Sequence, residues 1–362
     1  MPPVPRPPGL SELEPLSEHC SIGTGGPARW FCEVTTRDQL NQCLDWARER
    51  GLAVFLLGGG SNLVCADSGF DGLIIKVRIT GLRFEALADR MLVHAGAGET
   101  WDALVLECCQ RGLVGVECLS GIPGTVGATP LQNVGAYGQE VSQTLVSVTC
   151  LELESHEVLS FSAEQCEFGY RTSRFKERDR GRYAILEVCF ALRHGLPDAP
   201  SYPELLRALA ARALAQPTAE QLRACVLELR KSKSMLLDAA DPNGQSCGSF
   251  FTNPILEASE FQALLTRALP ARPPAFSETD GRFKVPAAWL IEQAGFAKGA
   301  RSGNVGLSTK HTLCVVAHSG ATSAEVVAWA RHVRDTVFDR FGVELEPEPQ
   351  LLGLSFGTRA AR

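Results

Sequence analysis

The stretch from Gly121 to Gly138 sets five glycines among Pro123, Pro130 and Asn133, a spacing that rules out one regular helix or strand across it. The segment must be a long ordered loop, and loops of that length inside a folded unit are usually functional. A second glycine cluster, Gly58-Gly59-Gly60-Ser61-Asn62, follows the short apolar run Ala53 to Leu57. Backbone N–H groups can converge on an anion there, because glycines permit positive φ and close approach. The cluster matches neither the Gly-x-Gly-x-x-Gly fingerprint, since position 63 is Leu63, nor a P-loop, since no Gly-Lys-Ser/Thr follows. Alone it reads equally well as a tight turn. The longer loop runs Gly121-Ile122-Pro123-Gly124-Thr125-Val126-Gly127-Ala128 and then Gln132-Asn133-Val134-Gly135-Ala136-Tyr137-Gly138. Such a wall can lie flat against a planar ring system and donate backbone hydrogen bonds to its polar edge, and the two loops together fit one extended dinucleotide-like ligand.

Around these loops the pattern is mixed α and β. Thr36 with Gln39 starts a helix carrying Leu40, Cys43, Leu44 and Ala47 and stopping at Gly51. Strands are expected at 53–57 and 73–77, so a helix followed by two strands opens the fold. A strand at 92–95 precedes a helix at 100–111 with a Thr100 cap, and further strands fall at 145–154, 157–161 and 183–192. Helices follow at about 204–212 and 218–231, the second with a Thr218 to Gln221 capping box. The turn-rich stretch Asp238 to Gln245 marks a domain boundary. Beyond it come a strand at 249–252, a helix at 287–294, a strand at 312–317 and a long helix at 323–341, begun by Thr322 and Glu325 and closed by Gly342. Residues 1–18 are proline-rich and polar, and are expected to be a flexible leader.

At 362 residues, more than one core is expected. A net charge of −6 argues against the broad basic surface of a nucleic-acid-binding protein. No apolar run reaches the roughly 18–20 residues a membrane helix needs, and the N-terminus lacks an apolar signal core, so a cytoplasmic protein with no membrane partner is expected. The 13 cysteines form no Cys-x-x-Cys knuckles and read as buried reduced thiols. With seven dispersed histidines and no His-x-x-x-His pair, no metal is expected.

Three segments join polar groups to aromatic or acidic neighbours. Phe168-Gly169-Tyr170-Arg171 and Gly248-Ser249-Phe250-Phe251-Thr252-Asn253-Pro254 place a reactive side chain beside aromatic cover. A lone serine is a poor acid in water and is more often a cap or turn residue, and Ser249 lacks the Gly-x-Ser-x-Gly setting of a hydrolase nucleophile. Leu345-Glu346-Pro347-Glu348-Pro349 puts two carboxylates two residues apart in a Pro-restricted segment, where they share a face if it is a strand. The spacing does not fix which faces a site, and a solvated acidic tail is the commoner reading.

Taken together, these segments resemble the UDP-N-acetylmuramate dehydrogenase family, also called UDP-N-acetylenolpyruvoylglucosamine reductase. The resemblance runs from about residue 20 to 353 and rests on six spaced motifs in order. They are Gly58 to Asn62, Gly121 to Gly138 with Gln139-Glu140-Val141, Phe168 to Lys176, Gly248 to Pro254, Ala288 to Gln293, and Leu345 to Glu348. It implies an α+β fold of three domains, two forming an FAD-binding cleft of the vanillyl-alcohol-oxidase type and a third α/β domain for substrate. The boundaries it suggests are 19–80, with 346–362 packing back on it, 81–236, and 237–345.

The resemblance implies that NADPH reduces noncovalent FAD, which then reduces UDP-N-acetylglucosamine enolpyruvate, a step of peptidoglycan precursor synthesis. The catalytic trio falls on Arg171, Ser249 and Glu348. FAD contacts fall on Gly58, Gly59, Gly60, Ser61, Asn62, Gly121, Ile122, Pro123, Gly124, Thr125, Gly127, Ala128, Asn133, Gly135, Ala136 and Tyr137. Groups for the UDP-sugar fall on Tyr170, Tyr202, Lys233, Asn253 and Gln293, with Tyr202 in the segment that marks the long form. The partners implied are small molecules only, and a monomer is expected. An oxidase of the same fold would often carry a covalent flavin, but His19 and His94 are the only histidines before residue 156 and neither lies in the Gly58 loop. The chain departs from the family pattern at Cys20-Ser21-Ile22, where Asn-Thr-Phe is usual, at Ser246-Cys247 in place of Asn-Ala, and at Ala317 in place of Asn.

Overall fold

Helix α1 (Arg37–Glu49) begins at Thr36, whose hydroxyl accepts the Gln39 N–H at 3.2 Å, in a computed structural model that describes residues 3–358. Its apolar residues recur at helical spacing, so Leu40, Cys43, Leu44 and Ala47 share one buried face. They pack with Val34, Leu73 and Ile75 of a four-stranded sheet ordered Ser11–Pro15, Pro27–Val34, Phe70–Val77, Ala53–Leu57. The last two strands are parallel, with Ala53 opposite Gly72. Two strands therefore precede the helix that was expected to open the fold, and part of the expected leader is ordered. Ser11–Pro15 is polar and Pro-bounded, so side-chain pattern conceals it; it forms by pairing its backbone on one side only, as an edge strand that tolerates Pro. Residues 1–2 of that leader and 359–362 of the C-terminal segment lie outside the described residues.

A second, antiparallel sheet is ordered Val158–Ser162, Leu145–Glu152, Tyr183–His194, Arg90–Gly96, Leu82–Leu87, and Leu113–Val114 also pairs with the long Tyr183–His194 strand. Helix α2 (Trp101–Gln110) buries Trp101, Leu104, Val105, Cys108 and Cys109. Thr100 does not cap it through its side chain, contrary to expectation. The Trp101 N–H is instead given to Gly124 O at 3.1 Å, so the long glycine loop satisfies the helix start. Helices α3 (Pro203–Ala211) and α4 (Ala219–Ser232) share Leu205, Leu209, Leu222, Cys225 and Val226, and α4 carries the Thr218–Gln221 capping box. These elements belong to one compact unit made of residues 1–14, 28–60 and 71–236.

The other unit comprises 15–27, 61–70 and 237–362. Its main sheet is antiparallel and ordered Ser246–Ser249, Cys314–Ala317, Val305–Leu307, Arg301–Ser302. Helix α5 (Ala258–Arg267), unforeseen in the sequence, is followed by α6 (Ala287–Gln293) and α7 (Ser323–Phe341). Thr322 and Glu325 form a capping box on α7 and Gly342 closes it at φ 71°. The strand expected at 249–252 lies at 246–249, because after Ser249 the chain leaves this sheet to run beside residues 346–348. Gln350–Leu352 then pairs in parallel with Leu63–Cys65. All 13 cysteines are buried and none is in a disulfide. Among the described residues no helix is long and apolar enough to cross a membrane, and no group of three metal-ligating side chains comes together.

Candidate active site

The two glycine loops meet within the first unit. A Cβ on Gly59 would lie 2.7 Å from Gly124 Cα, and one on Gly58 would lie 2.8 Å from Thr125 Oγ1. No side chain can stand between them, so backbone groups form the surface, which fits a cradle for the diphosphate of a flavin dinucleotide. The long loop is fixed from behind. Val126 N–H binds Glu99 O at 2.9 Å, Gly127 N–H binds Ala97 O at 2.9 Å, and Thr100 bridges Thr125. Gly121 N–H is held at 2.5 Å by Asp102 Oδ1 of α2, which is paired with Arg223 of α4. Burial works against the Asp102 charge, but the Arg223 and Gly121 hydrogen bonds keep its pKa below the ordinary value.

Arg171 lies at the tip of a tight reversal in which Gly169 and Thr172 exchange backbone hydrogen bonds of 3.1 and 3.4 Å. Its φ is 54°, a left-handed conformation that favours glycine. The guanidinium donates to Gly135 O at 2.6 Å and Asn133 O at 3.4 Å, tying the tip to the glycine loop, and lies 5.4 Å from the centre of the Tyr170 ring. Asn133 is buried and uses its side chain fully, donating to Glu140 Oε2 at 2.8 Å and Gly169 O at 3.1 Å and accepting from Ser142 N at 3.1 Å. Asn133 is therefore a strut behind the loop surface.

Ser249 and Glu348 belong to the second unit, where they sit on neighbouring extended segments. Phe251 bridges Pro347, Thr252 N–H binds Glu346 O at 3.0 Å, and Glu348 N–H binds Phe250 O at 2.8 Å. Glu346 is exposed and Glu348 half-buried, so of the two carboxylates Glu348 has the more protected setting. Phe250 and Phe251 are buried, their rings 5.3 Å apart. Asn62 Nδ2 donates to Glu348 O at 3.2 Å, and Ser21 Oγ lies 2.7 Å from Ser246 O and 3.2 Å from Ser61 O. Ser61, Asn62, the Ser249 strand and the Glu348 segment are thus bound into one assembly.

The substrate candidates fall into two groups. In the first unit Tyr137 packs edge-on against Tyr202 at 5.3 Å, and Lys233 Nζ lies 5.7 Å from the centre of the Tyr137 ring. Burial pushes the Tyr137 hydroxyl up to about 12 and raises that of Tyr202, Glu204 adding to the latter. In the second unit Asn253 Oδ1 accepts the Ala287 N–H at 2.9 Å and so caps α6, whose last residue is Gln293. Several residues that shape the site escape a sequence reading. Buried Glu117 accepts from Gly115 N at 2.6 Å and Gln139 Nε2 at 2.8 Å, and Gln139 Oε1 accepts from Cys118 N, bracing the loop from below. Asp102 carries one signal, an acid in the first turn of a helix, but its partner Arg223 is far away in sequence.

Two family models match the chain: an FAD binding domain over residues 28–160, and the C-terminal domain of UDP-N-acetylenolpyruvoylglucosamine reductase over 240–352. The chain is 46% identical to the UDP-N-acetylenolpyruvoylglucosamine reductase of Thermobifida fusca, over 94% of this chain and 97% of that one. It is 45% identical to that of Saccharopolyspora erythraea, over 93% and 94%. Its fold is similar to the solved UDP-N-acetylenolpyruvylglucosamine reductase of Thermus caldophilus, with a TM-score of 0.62 at 23% identity, covering 95% of this chain and 98% of that one.

Proposed function

The chain belongs to the UDP-N-acetylenolpyruvoylglucosamine reductase family, and we propose that Arg171, Ser249 and Glu348 perform its reaction, the NADPH-dependent reduction of UDP-N-acetylglucosamine enolpyruvate to UDP-N-acetylmuramate. The glycine loops around Gly58 to Gly60 and Gly121 to Gly138 would hold FAD without a covalent bond, and bound FAD would supply the two-electron chemistry that couples oxidation of NADPH to reduction of the enolpyruvyl ether at its vinyl methylene carbon. Negative charge then develops on the adjacent carbon and the substrate carboxylate. Arg171 is a permanent planar cation suited to that carboxylate and its growing charge. Ser249 delivers the proton to the carbanionic carbon. A hydroxyl suffices because the carbon it protonates is strongly basic, and Glu348 replenishes the proton or orients a water that does so. Phe250 and Phe251, buried behind Ser249, keep bulk water from that side.

The observation that supports this reading most is the pairing of the segment after Ser249 with the Glu348 segment, through Glu348 N–H to Phe250 O at 2.8 Å. It brings the backbones carrying a hydroxyl and a carboxylate side by side from distant parts of the chain. Tyr170, Tyr202, Lys233, Asn253 and Gln293 would hold the UDP-sugar, and the three-domain division at 80, 236 and 345 belongs to the same reading. So does action as a cytoplasmic monomer in cell-wall precursor synthesis.

The test separates the two half-reactions. With Ser249→Ala, anaerobic NADPH should bleach the flavin absorbance at the wild-type rate, while reoxidation by UDP-N-acetylglucosamine enolpyruvate should slow by several orders of magnitude. Equal reoxidation rates in the two proteins would remove Ser249 from the mechanism.

A further inference from the structure

The ammonium of Lys233 is not waiting empty for a ligand. Glu204 Oε2 sits in direct contact with Lys233 Nζ, and both side chains are mostly covered, at 29% and 20% exposure. The pair bridges two helix ends: Glu204 is in the first turn of α3, and Lys233 is the C-terminal cap of α4. Each partner also adjoins a tyrosine already on the substrate side. Lys233 Nζ faces Tyr137, Tyr137 packs on Tyr202, and Tyr202 is the residue from which α3 starts. The shared apolar contacts of α3 and α4, from Leu205 and Leu209 to Leu222 and Val226, hold those two helix ends together.

A UDP-sugar that carries an enolpyruvyl group brings two kinds of anion, a carboxylate and a diphosphate. If Arg171 takes the carboxylate, the charge left for a compact ammonium such as Lys233 is the diphosphate. A diphosphate added to Lys233 while Glu204 stays in place would set two anions at contact distance around one cation, a repulsion that favours release of the Glu204 carboxylate. The carboxylate has an alternative position close by. Tyr202 gives α3 no side-chain cap and Pro203 fills its first position, and the positive end of the helix dipole favours a carboxylate in that first turn.

We propose that Glu204 is a specificity-determining residue that acts through Lys233. It occupies the ammonium in the free enzyme, yields it to the diphosphate of the incoming UDP-sugar, and thereby excludes ligands too weakly charged to displace a carboxylate. The proposal rests on reading Lys233 as a substrate-binding residue.

The experiment is calorimetric titration of the FAD-loaded full chain with UDP-N-acetylglucosamine, for wild type, Glu204→Gln, Lys233→Ala and the double variant. Glu204→Gln should bind about 3- to 5-fold more tightly than wild type, the scale set by a partly exposed ion pair. Lys233→Ala should bind more weakly, and adding Glu204→Gln to it should give no gain. Glu204→Asp, which restores the charge, should return the affinity toward wild type, which a merely structural role would not require. If Glu204→Gln does not fold with FAD, Glu204→Ala carries the same expectation. An affinity that is unchanged or weakened by removing the Glu204 charge, or a gain that persists without Lys233, overturns the proposal. Unchanged affinity in Lys233→Ala instead overturns the reading of Lys233 on which it rests.

Discussion

Arg171 is held in a backbone conformation that costs a non-glycine residue on the order of 1 kcal/mol, yet it keeps both of its loop carbonyl contacts. Strain of this kind persists where surrounding contacts over-determine it, and it concentrates at functional positions. The planar guanidinium reaches Gly135 O and Asn133 O together, a geometry that a single ammonium cannot reproduce. Arg171→Lys should therefore leave flavin reduction by NADPH intact and slow the second half-reaction by roughly 10²- to 10³-fold. Stopped-flow measurement of both half-reactions reads this directly, and equal losses in the two would point to a damaged flavin loop instead. None of this was visible in the motif Phe168-Gly169-Tyr170-Arg171 alone. The motif offers a glycine beside a cation, whereas the positive φ falls on the arginine itself and its partners lie 36 and 38 residues away.

Among the elements, those with a strong local signal were legible in the sequence. The α1, α4 and α7 starts follow from their Thr-x-x-Gln/Glu boxes, and Ala53–Leu57 from a bounded apolar run. Ser11–Pro15 and Leu82–Leu87 were not, because both are largely exposed sheet edges whose residues need no buried face. The shift of the Ser249 strand has a similar origin: which partner a strand takes is a tertiary choice, and Phe250 onward pairs with a segment nearly a hundred residues away. The same holds for α6, whose cap comes from outside its own sequence. Pro286 at its start has no capping side chain, and Asn253 supplies the acceptor to Ala287 N–H. Asn253→Ala should lower stability by about 1 kcal/mol through the lost cap. Asn253→Asp keeps an acceptor at a helix N-terminus and should hold the melting temperature, while its negative charge weakens UDP-N-acetylglucosamine binding. Melting curves and titration of the two variants check this, and a Tm loss in Asn253→Asp equal to that in Asn253→Ala would reject the capping role.

At the scale of the whole molecule, the cysteines impose a limit on the conditions the fold tolerates. All 13 are buried and none is in a disulfide, so they contribute mainly as small apolar side chains. Burial pushes the thiols of Cys108, Cys109 and Cys166 up to about 12 from an ordinary value of 9.0. A group whose folded pKa is raised gives its full stabilisation below its unfolded value and loses it as pH rises toward the folded one. The window is thus pH 9 to 12, on the alkaline side. At pH 10 the unfolded chain gains roughly 1 kcal/mol per such thiol by ionising, and the three together take a sizeable share of a typical folding free energy. Denaturant unfolding at pH 8 and pH 10 should show this loss, with lysines and tyrosines contributing as well. The cysteine part is isolated by the Cys108→Ala, Cys109→Ala double variant, whose loss between the two pH values should be smaller than that of the parent by roughly 2 kcal/mol. Parallel pH profiles for the two proteins would mean that these thiols ionise freely in the folded state, which their burial on α2 makes physically costly.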